Sequence, residues 1–425
     1  MDKAILVGLE DALSDINYSL DELENLAKSL QIESIAKISQ KRIFPHPTTY
    51  VGKGKLEEIK QIITALDVDI VIFNDELTPT QIRVIEKELD VQIIDRSFLI
   101  LSIFSERAQT KGSYLEVSLA QQKYLLPRLV GMRDSLSRQG GGTYNAKGPG
   151  ETKLELDRRA ILKTIKNLED NLKKWEKENE LSRKQRVENR VPIVSLVGYT
   201  NAGKSATLNS LLKFVENDKS VFEKNILFAT LSTSSRQIKK RGYPAFILTD
   251  TIGFVSKLPH AFVKSFKATL GEVANSNLII HLIDGSNAKY EFQKKTTLNV
   301  LRDLGVENIP TLEVYSKVDL LDEKPIDENL WISNNNGINI EKLLHLIYEN
   351  IFGSPLMVEL EVPYAKAEIT PLINLDTRIL KTTFLESSTI YEVIMFNKQL
   401  PSFKDYVKSS RYLWSNYLLF EWILL

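Results

Sequence analysis

Apolar residues follow two rhythms that alternate along the chain. The runs A-I-L-V-G-L (4–9), I-V-I-F (70–73) and V-Q-I-I-D (91–95) are short and almost wholly apolar, which predicts strands buried on both faces. Between them, L-D-E-L-E-N-L-A-K-S-L (20–30) and T-Q-I-R-V-I-E-K-E-L (80–89) return an apolar residue every three or four positions, the spacing of one helix face. This alternation predicts a small parallel α/β subdomain over residues 1–105. The strand rhythm disappears over residues 106–190. A helical pattern near Leu115–Leu129 leads into a glycine-rich loop (138–150) and then a highly charged segment, Glu151–Arg190. There Leu154, Ile161, Ile165, Leu168, Leu172 and Trp175 recur at helical steps, predicting a helix with one apolar stripe, half of a helical hairpin, ended by Pro192. Residues 191–355 are read as a separate domain that carries the chemistry below, and a mostly parallel sheet with helices on both faces is expected there. From 356 to 425 the alternation in M-V-E-L-E-V (357–362), with T-T-F-L (382–385) and I-Y-E-V-I-M-F (390–396), predicts a small strand-rich α+β domain. The fold class expected is multidomain α/β.

Composition removes several chemistries. The 425 residues are too many for one ordinary core. Hydrophobic content of 43% and charged content of 26% suit a soluble globular protein. With no cysteine there is no disulfide, thiol nucleophile or cysteine-ligated metal. The four histidines (His46, His260, His281, His345) lack metal-ligand spacing. Asp2, Glu10 and Asp11 flank the first apolar run, unlike a signal peptide, and no apolar run approaches the ~18–20 residues that span a bilayer. The terminal Y-L-L-F-E-W-I-L-L carries Glu421 and is expected to pack against a core, so a cytoplasmic monomer is expected. Formal net charge is zero, so any case for nucleic acid must be local.

The local chemistry begins at Gly198. An apolar strand, Val191–Val197, runs into Gly198, Tyr199, Thr200, Asn201, Ala202, Gly203, Lys204 and Ser205, and Ala206 leads into a helix. That is a GxxxxGKS phosphate loop in strand–loop–helix context. Its glycines let backbone N–H groups converge on phosphate oxygens, Lys204 is placed for the β- and γ-phosphates, and the Ser205 hydroxyl for Mg²⁺. F-I-L-T-D-T-I-G-F (246–254) ends a strand at Asp250 and reaches Gly253 through Thr251 and Ile252. Asp250 is expected to hold the Mg²⁺ shell, and the Gly253 N–H the γ-phosphate. In Y-S-K-V-D (315–319), Asp319 is placed to accept the N1–H and N2–H₂ edge of guanine, with the Lys317 stem along the base. Adenine would leave that carboxylate desolvated and unpaired. Ser316 stands where asparagine is usual, so contacts to the base and back to the phosphate loop are expected to be lost. Ser333 and Asn334, in I-S-N-N-N-G (332–337), are expected at guanine O6. Thr230 is the candidate switch threonine for Mg²⁺, with Thr233 next, and Lys204 and Gly253 are the catalytic candidates. Phe254 occupies a place where glutamine often orients the attacking water. Hydrolysis is therefore expected to be slow alone and to depend on a residue or a partner from elsewhere.

These motifs resemble those of the HflX family of ribosome-associated P-loop GTPases, in the Obg–HflX group. Similar stretches include T-Y-V-G-K-G-K (49–55), F-N-D-E-L-T-P-T-Q (73–81), I-I-D-R (93–96), R-A-Q-T (107–110), L-A-Q (119–121) and L-P-R-L (126–129). More specific are L-S-R-Q-G-G-G (136–142), G-P-G-E-T-K-L-E-L-D-R-R (148–159), D-T-I-G-F-V-S-K-L-P-H (250–260) and F-K-A-T-L (266–270). Departures are Ser232, Ser316, Asn334 and the T-Y-N-A-K insert (143–147). The resemblance implies a P-loop GTPase domain at 191–355, GTP and GDP as ligands with Mg²⁺, binding to the large ribosomal subunit and its RNA, and splitting or rescue of stalled or idle ribosomes under stress. It also implies ATP-related activity in the N-terminal region, but G-K-G-K (52–55) reads more simply as a tight turn.

One local feature supports RNA independently. Between Lys123 and Lys153 six basic residues (Lys123, Arg128, Arg133, Arg138, Lys147, Lys153) face two acidic ones (Asp134, Glu151), around a glycine loop with Tyr124 and Tyr144 nearby. Cations for phosphate and a ring for stacking suit an irregular RNA surface, and Arg138, Gln139, Gly140, Gly141, Gly142, Tyr144 and Lys147 are the expected contacts. A solvated linker, a nucleotide-dependent RNA-remodelling enzyme and a GTP-gated protein or membrane scaffold are the competing readings.

Overall fold

A computed structural model describes residues 2–10, 15–108, 110–129, 153–188, 191–215, 234–251, 253–257, 273–323 and 325–412. The chain divides into two compact units, the first from residues 1–184, 224–232 and 252–271 and the second from the remainder.

The first unit holds a parallel four-stranded sheet, ordered β2-β1-β3-β4, of β1 (Lys3–Glu10), β2 (Glu33–Lys41), β3 (Ile70–Phe73) and β4 (Gln92–Asp95). Helices α1 (Ile16–Ser29), α2 (Lys53–Leu66), α3 (Pro79–Leu89), α4 (Arg96–Arg107) and α5 (Lys111–Leu125) accompany it. Ala4, Ile5, Leu6 and Val7 are all inaccessible, because both faces of β1 are covered. Ile5 and Val7 join Leu56 and Ile59 of α2 and Ile85 of α3 in one core. The opposite face meets α1: a Cβ on Gly8 would lie 2.6 Å from Ile16 and 3.2 Å from Leu20. Three strands and two helices match the apolar rhythm. Edge strand β2 does not, since its E-S-I-A-K-I-S-Q-K is mostly polar and pairs on one side only.

The charged segment forms α6 (Lys153–Glu188). From Ile161 onward its stripe is real: Ile165 is buried, Ile161, Leu168, Leu172 and Trp175 are half-buried, and Trp175 lies against Gly112 of α5, where a Cβ would come within 2.3 Å; the Leu154 side chain lies outside the described residues. Lys123 of α5 pairs with Glu169 at 2.8 Å.

The second unit holds two sheets. The larger is ordered β10-β9-β8-β5-β7-β6, comprising β5 (Ile193–Gly198), β6 (Ser234–Ile238), β7 (Phe246–Asp250), β8 (Leu278–Asp284), β9 (Thr311–Ser316) and β10 (Leu330–Trp331). All neighbours are parallel except β6 with β7. Its core joins strand residues such as Leu196, Leu248 and Leu282 to Leu208 and Leu211 of α7 (Lys204–Phe214) and Leu343 and Ile347 of α9 (Ile340–Phe352); α8 (Tyr290–Asp303) precedes β9. The smaller sheet is antiparallel, β12-β13-β11-β14, from β11 (Pro355–Pro363), β12 (Arg378–Phe384), β13 (Ser388–Phe396) and β14 (Val407–Tyr412). Alternation buries Leu356, Val358, Leu360 and Val362 of β11 with Ile373 of α10 (Thr370–Asp376). Phe396 of β13 reaches the larger sheet's core and stacks on Tyr348, ring centroids 5.5 Å apart. The terminal apolar segment, 417–425, lies outside the described residues. The expected multidomain α/β class is the one observed: in chain order, an α/β region, a mostly parallel sheet and an antiparallel tail sheet.

Candidate functional site

Strands β5, β7, β8 and β9 are parallel, so their C-terminal ends share one edge, where open α/β sheets bind ligands. The register pairs Leu196 with Asp250, Gly198 with Leu282, and Asp284 with Ser316. The ends of four strands, spread over 118 residues of sequence (198 to 316), therefore converge.

Gly198 is required by close approach: a Cβ there would sit 2.3 Å from the Leu282 carbonyl oxygen. The loop turns through Asn201 at φ 64° and Gly203 at φ 87°, left-handed conformations that Gly and Asn tolerate. Tyr199, Thr200 and Ala202 are buried, Asn201 is exposed, and Ala206 is half-buried in the first turn of α7. Gly203 caps α7, so the free N–H groups of a helix N-terminus face the loop. The Lys204 ammonium donates to the carbonyls of Gly198 (3.2 Å) and Tyr199 (2.9 Å). Burial pulls its pKa down to about 8, against a smaller upward pull from Asp250. A buried cation inside a ring of amide groups is a strong attractor for a phosphate chain.

Ser205 Oγ donates to Asp250 Oδ2 at 2.6 Å, and both Asp250 and Thr251 are fully buried. Thr251 Oγ1 donates to the Leu196 carbonyl (2.6 Å), which locks the end of β7 to β5. One hydroxyl and one carboxylate are hard oxygen donors of the kind Mg²⁺ takes beside phosphate oxygens, since Mg²⁺ uses one or two carboxylates rather than a protein cage. Among the described residues no group of three or more acidic or histidine side chains forms such a cage.

At the other end of the edge, the expected loss at Ser316 is partly corrected. Its hydroxyl is fully buried and donates toward the carbonyls of Ala202 (2.8 Å) and Ile283 (3.1 Å), so the tie to the phosphate loop survives the exchange for a shorter side chain. Lys317 adopts φ 63° and its ammonium pairs with Asp284 at 2.7 Å. Asp284 went unread in the sequence; the signal was available, an apolar strand L-I-I-H-L-I-D ending before glycine. Asp319 lies in a short 3₁₀ turn, and hydrogen bonds from Ser333 first, then Asn335 (3.2 Å), keep its carboxyl below the usual range. Ser333 is buried, and Asn334 Nδ2 donates to Thr207 Oγ1 at 3.0 Å. Tyr315 and Trp331 stack beneath this end, centroids 4.8 Å apart.

Gly253–Lys257 belongs to the first unit. There Ser256 hydrogen-bonds Glu22 and, at 3.0 Å, Arg96, which pairs with Glu22 and reaches Asn74 Oδ1 at 2.9 Å; Lys257 pairs with Asp75. Phe254 is 2% exposed, a ring set into the core with no polar atom to offer water. Thr230, Thr233, Ile252 and the whole candidate RNA loop (Arg138, Gln139, Gly140, Gly141, Gly142, Tyr144, Lys147) lie outside the described residues. Two residues flanking that loop have internal partners. Arg128 stacks 3.5 Å from the Tyr124 ring and donates to Leu77 O (2.9 Å) and Glu76 (3.1 Å), while Tyr124 itself is buried. G-K-G-K forms the tight start of α2: Gly52 N donates to Gln40 Oε1 (2.8 Å) and Lys55 pairs with Glu58.

Three family models match in succession: "GTP-binding GTPase N-terminal" at 17–105, "GTP-binding GTPase Middle Region" at 107–186 and "50S ribosome-binding GTPase" at 193–317. The chain is 43% identical to GTPase HflX of Caldanaerobacter subterraneus subsp. tengcongensis, over 86% of this chain and 84% of that one. It is 38% identical to GTPase HflX of Lacrimispora saccharolytica (94% and 92%) and 36% identical to GTPase HflX of Escherichia coli K12 (85% and 86%). A solved GTP-binding protein from Sulfolobus solfataricus in complex with GDP aligns at 21% identity over 83% of this chain and 99% of that one, with a TM-score of 0.43, too distant to argue from.

Proposed function

The chain belongs to the HflX family of GTPases, and from that premise we propose that it is a nucleotide-gated factor of the large ribosomal subunit, acting in the cytoplasm to split or rescue stalled or idle ribosomes. That it binds and hydrolyses GTP follows from the family. The ribosomal partner is carried by one observation, the match of residues 193–317 to a family described as 50S ribosome-binding GTPase. The excess of four positive charges between Lys123 and Lys153 supports it, although Arg128 is spent internally.

In this reading the loop Gly198–Ser205 binds the phosphates and Lys204 carries the charge against the β- and γ-oxygens. Ser205 and Asp250 hold Mg²⁺, with Thr230 as its switch ligand; when bound, the ion neutralises charge developing between those phosphates. Gly253 offers its N–H to the γ-phosphate. Asp319 reads the guanine edge, Lys317 lies along the base, and Asp284 fixes the Lys317 ammonium. Phe254 cannot orient water, so the group that completes hydrolysis comes from a partner, and the ribosome is the candidate. Within the first unit, Ser256 holds Gly253–Lys257 to Glu22 and Arg96.

Co-sedimentation with large subunits in GDP, GTP and a non-hydrolysable GTP analogue tests the proposal. Binding should be strongest with the analogue and weakest with GDP. Replacing 138–148 by a glycine–serine linker should abolish it while GDP affinity is retained. Binding that ignores nucleotide state, or none at all, refutes the reading.

A further inference from the structure

Two departures from the usual guanine-site pattern, Ser316 and Asn334, are neighbours in space although eighteen positions apart in sequence. A Cβ built on Gly203, the residue before Lys204, would lie 3.4 Å from Asn334 Nδ2 and 3.8 Å from Ser316 Oγ. Each side chain ties a different part of the same loop. Ser316 has a single hydroxyl hydrogen to share between Ala202 O and Ile283 O, where an asparagine amide would have two. Asn334 gives its amide to Thr207 Oγ1, which in turn donates to Gly203 O at 2.9 Å. The Asn334 backbone carbonyl accepts from Ser210 Oγ at 3.4 Å, which adds a second tie between the 333–337 loop and α7. Asn334 Oδ1 is buried and has no hydrogen-bond partner among the described residues. An amide that leaves one buried acceptor unsatisfied carries a cost, and its place here is explained by what its other end does.

We propose that Asn334 is a positioning residue for base recognition, supplying from the loop the amide that position 316 lacks. Ser316 and Asn334 divide the work of one asparagine. Ser316 ties the end of β9, which carries Lys317 and Asp319, to Ala202; Asn334 ties the loop that carries Ser333 to Gly203 through Thr207. Base-reading groups and phosphate loop are thereby held in one frame. The inference rests on Asp319 reading guanine and is independent of the ribosomal partner.

The test is displacement of a fluorescent GDP by GDP, IDP and ADP from the full chain carrying Asn334→Ala, Ser316→Asn or both. Asn334→Ala should weaken GDP about tenfold, equivalent to about 1.4 kcal/mol, and narrow the GDP-over-ADP ratio. Ser316→Asn alone should also weaken GDP, because its amide must enter the space beside Gly203 that Asn334 occupies. The double variant should return to within about threefold of the parent, since one amide again serves both ties. If Asn334→Ala fails to fold, Asn334→Leu keeps the volume without the donor or an added charge and gives the same readout. Unchanged affinity and selectivity in Asn334→Ala, tighter binding in Ser316→Asn alone, or a double variant no better than Asn334→Ala overturns the proposal. Asp319→Asn, run beside them, should abolish the preference for GDP; if it does not, the base-reading assignment itself fails, whatever the Asn334 variants do.

Discussion

Raising the pH from about 7 to about 8.5 should progressively discharge Lys204 in the nucleotide-free protein, and GDP binding should report it as proton uptake. Burial lowers the ammonium's pKa from 10.5 to about 8, with partial relief from Asp250. A shift of that size corresponds to about 3 kcal/mol against the charged form. A phosphate chain beside the ammonium favours the cation and raises the pKa again. The free protein's pKa is therefore the lower of the two. Affinity is complete well below pH ~8, is about halved at pH ~8 and falls toward about tenfold per pH unit above it. Proton uptake on binding should be about a tenth at pH ~7, half at pH ~8 and three quarters at pH ~8.5. Calorimetry in two buffers of different ionisation enthalpy measures it directly. Lys204→Arg cannot be deprotonated in this range and should take up none, whatever its affinity. Absent uptake at pH ~8.5 in the parent, or equal uptake in Lys204→Arg, would refute the argument that burial sets this charge.

Two further outcomes follow from packing. Glu22→Ala removes one partner of a buried ion pair whose side chains are 6% and 1% exposed, leaving the Arg96 charge without its carboxylate; chemical denaturation of the N-terminal unit should show a loss of about 3–5 kcal/mol, largely recovered in Glu22→Met with Arg96→Met. Recovery that never appears would mean that Asn74 and Ser256, not the charge pair, dominate. Gly198→Ala drives a methyl onto the Leu282 carbonyl of the neighbouring strand and should cost about 1–3 kcal/mol of second-unit stability as well as nucleotide binding; an unchanged melting profile would show that the β5–β8 register yields more easily than close packing implies.

The phosphate site was legible in sequence because its chemistry is local. Gly198 to Ser205 must be consecutive for one turn of backbone to surround phosphate, and the apolar strand before it and helix after it are visible by their periods. Strands buried on both faces were readable for the same reason. Beyond that range the signal weakened. Edge strands β2, β6 and β14 are polar, and take their conformation from one hydrogen-bonded neighbour rather than from their own pattern. Asp284 ended a plain apolar strand, and only the register that sets it opposite Ser316 makes it the partner of Lys317.

Sequence by itself determined the α/β class, the phosphate loop, Asp250 and Asp319 as candidates, and the family, since each rests on residue types at short fixed spacings. Only tertiary structure decided which distant residues meet. It set Arg128 against Tyr124 and Leu77, and joined Ser256 to Glu22 across 234 positions. It also brought Ser316 and Asn334 to the same glycine, so that an apparent loss in one motif is offset by a gain in another. The physical reason is common to all three: a buried hydrogen bond or ion pair is worth most where water is excluded, and which groups share such a place is set by how strands and helices pack rather than by their order along the chain.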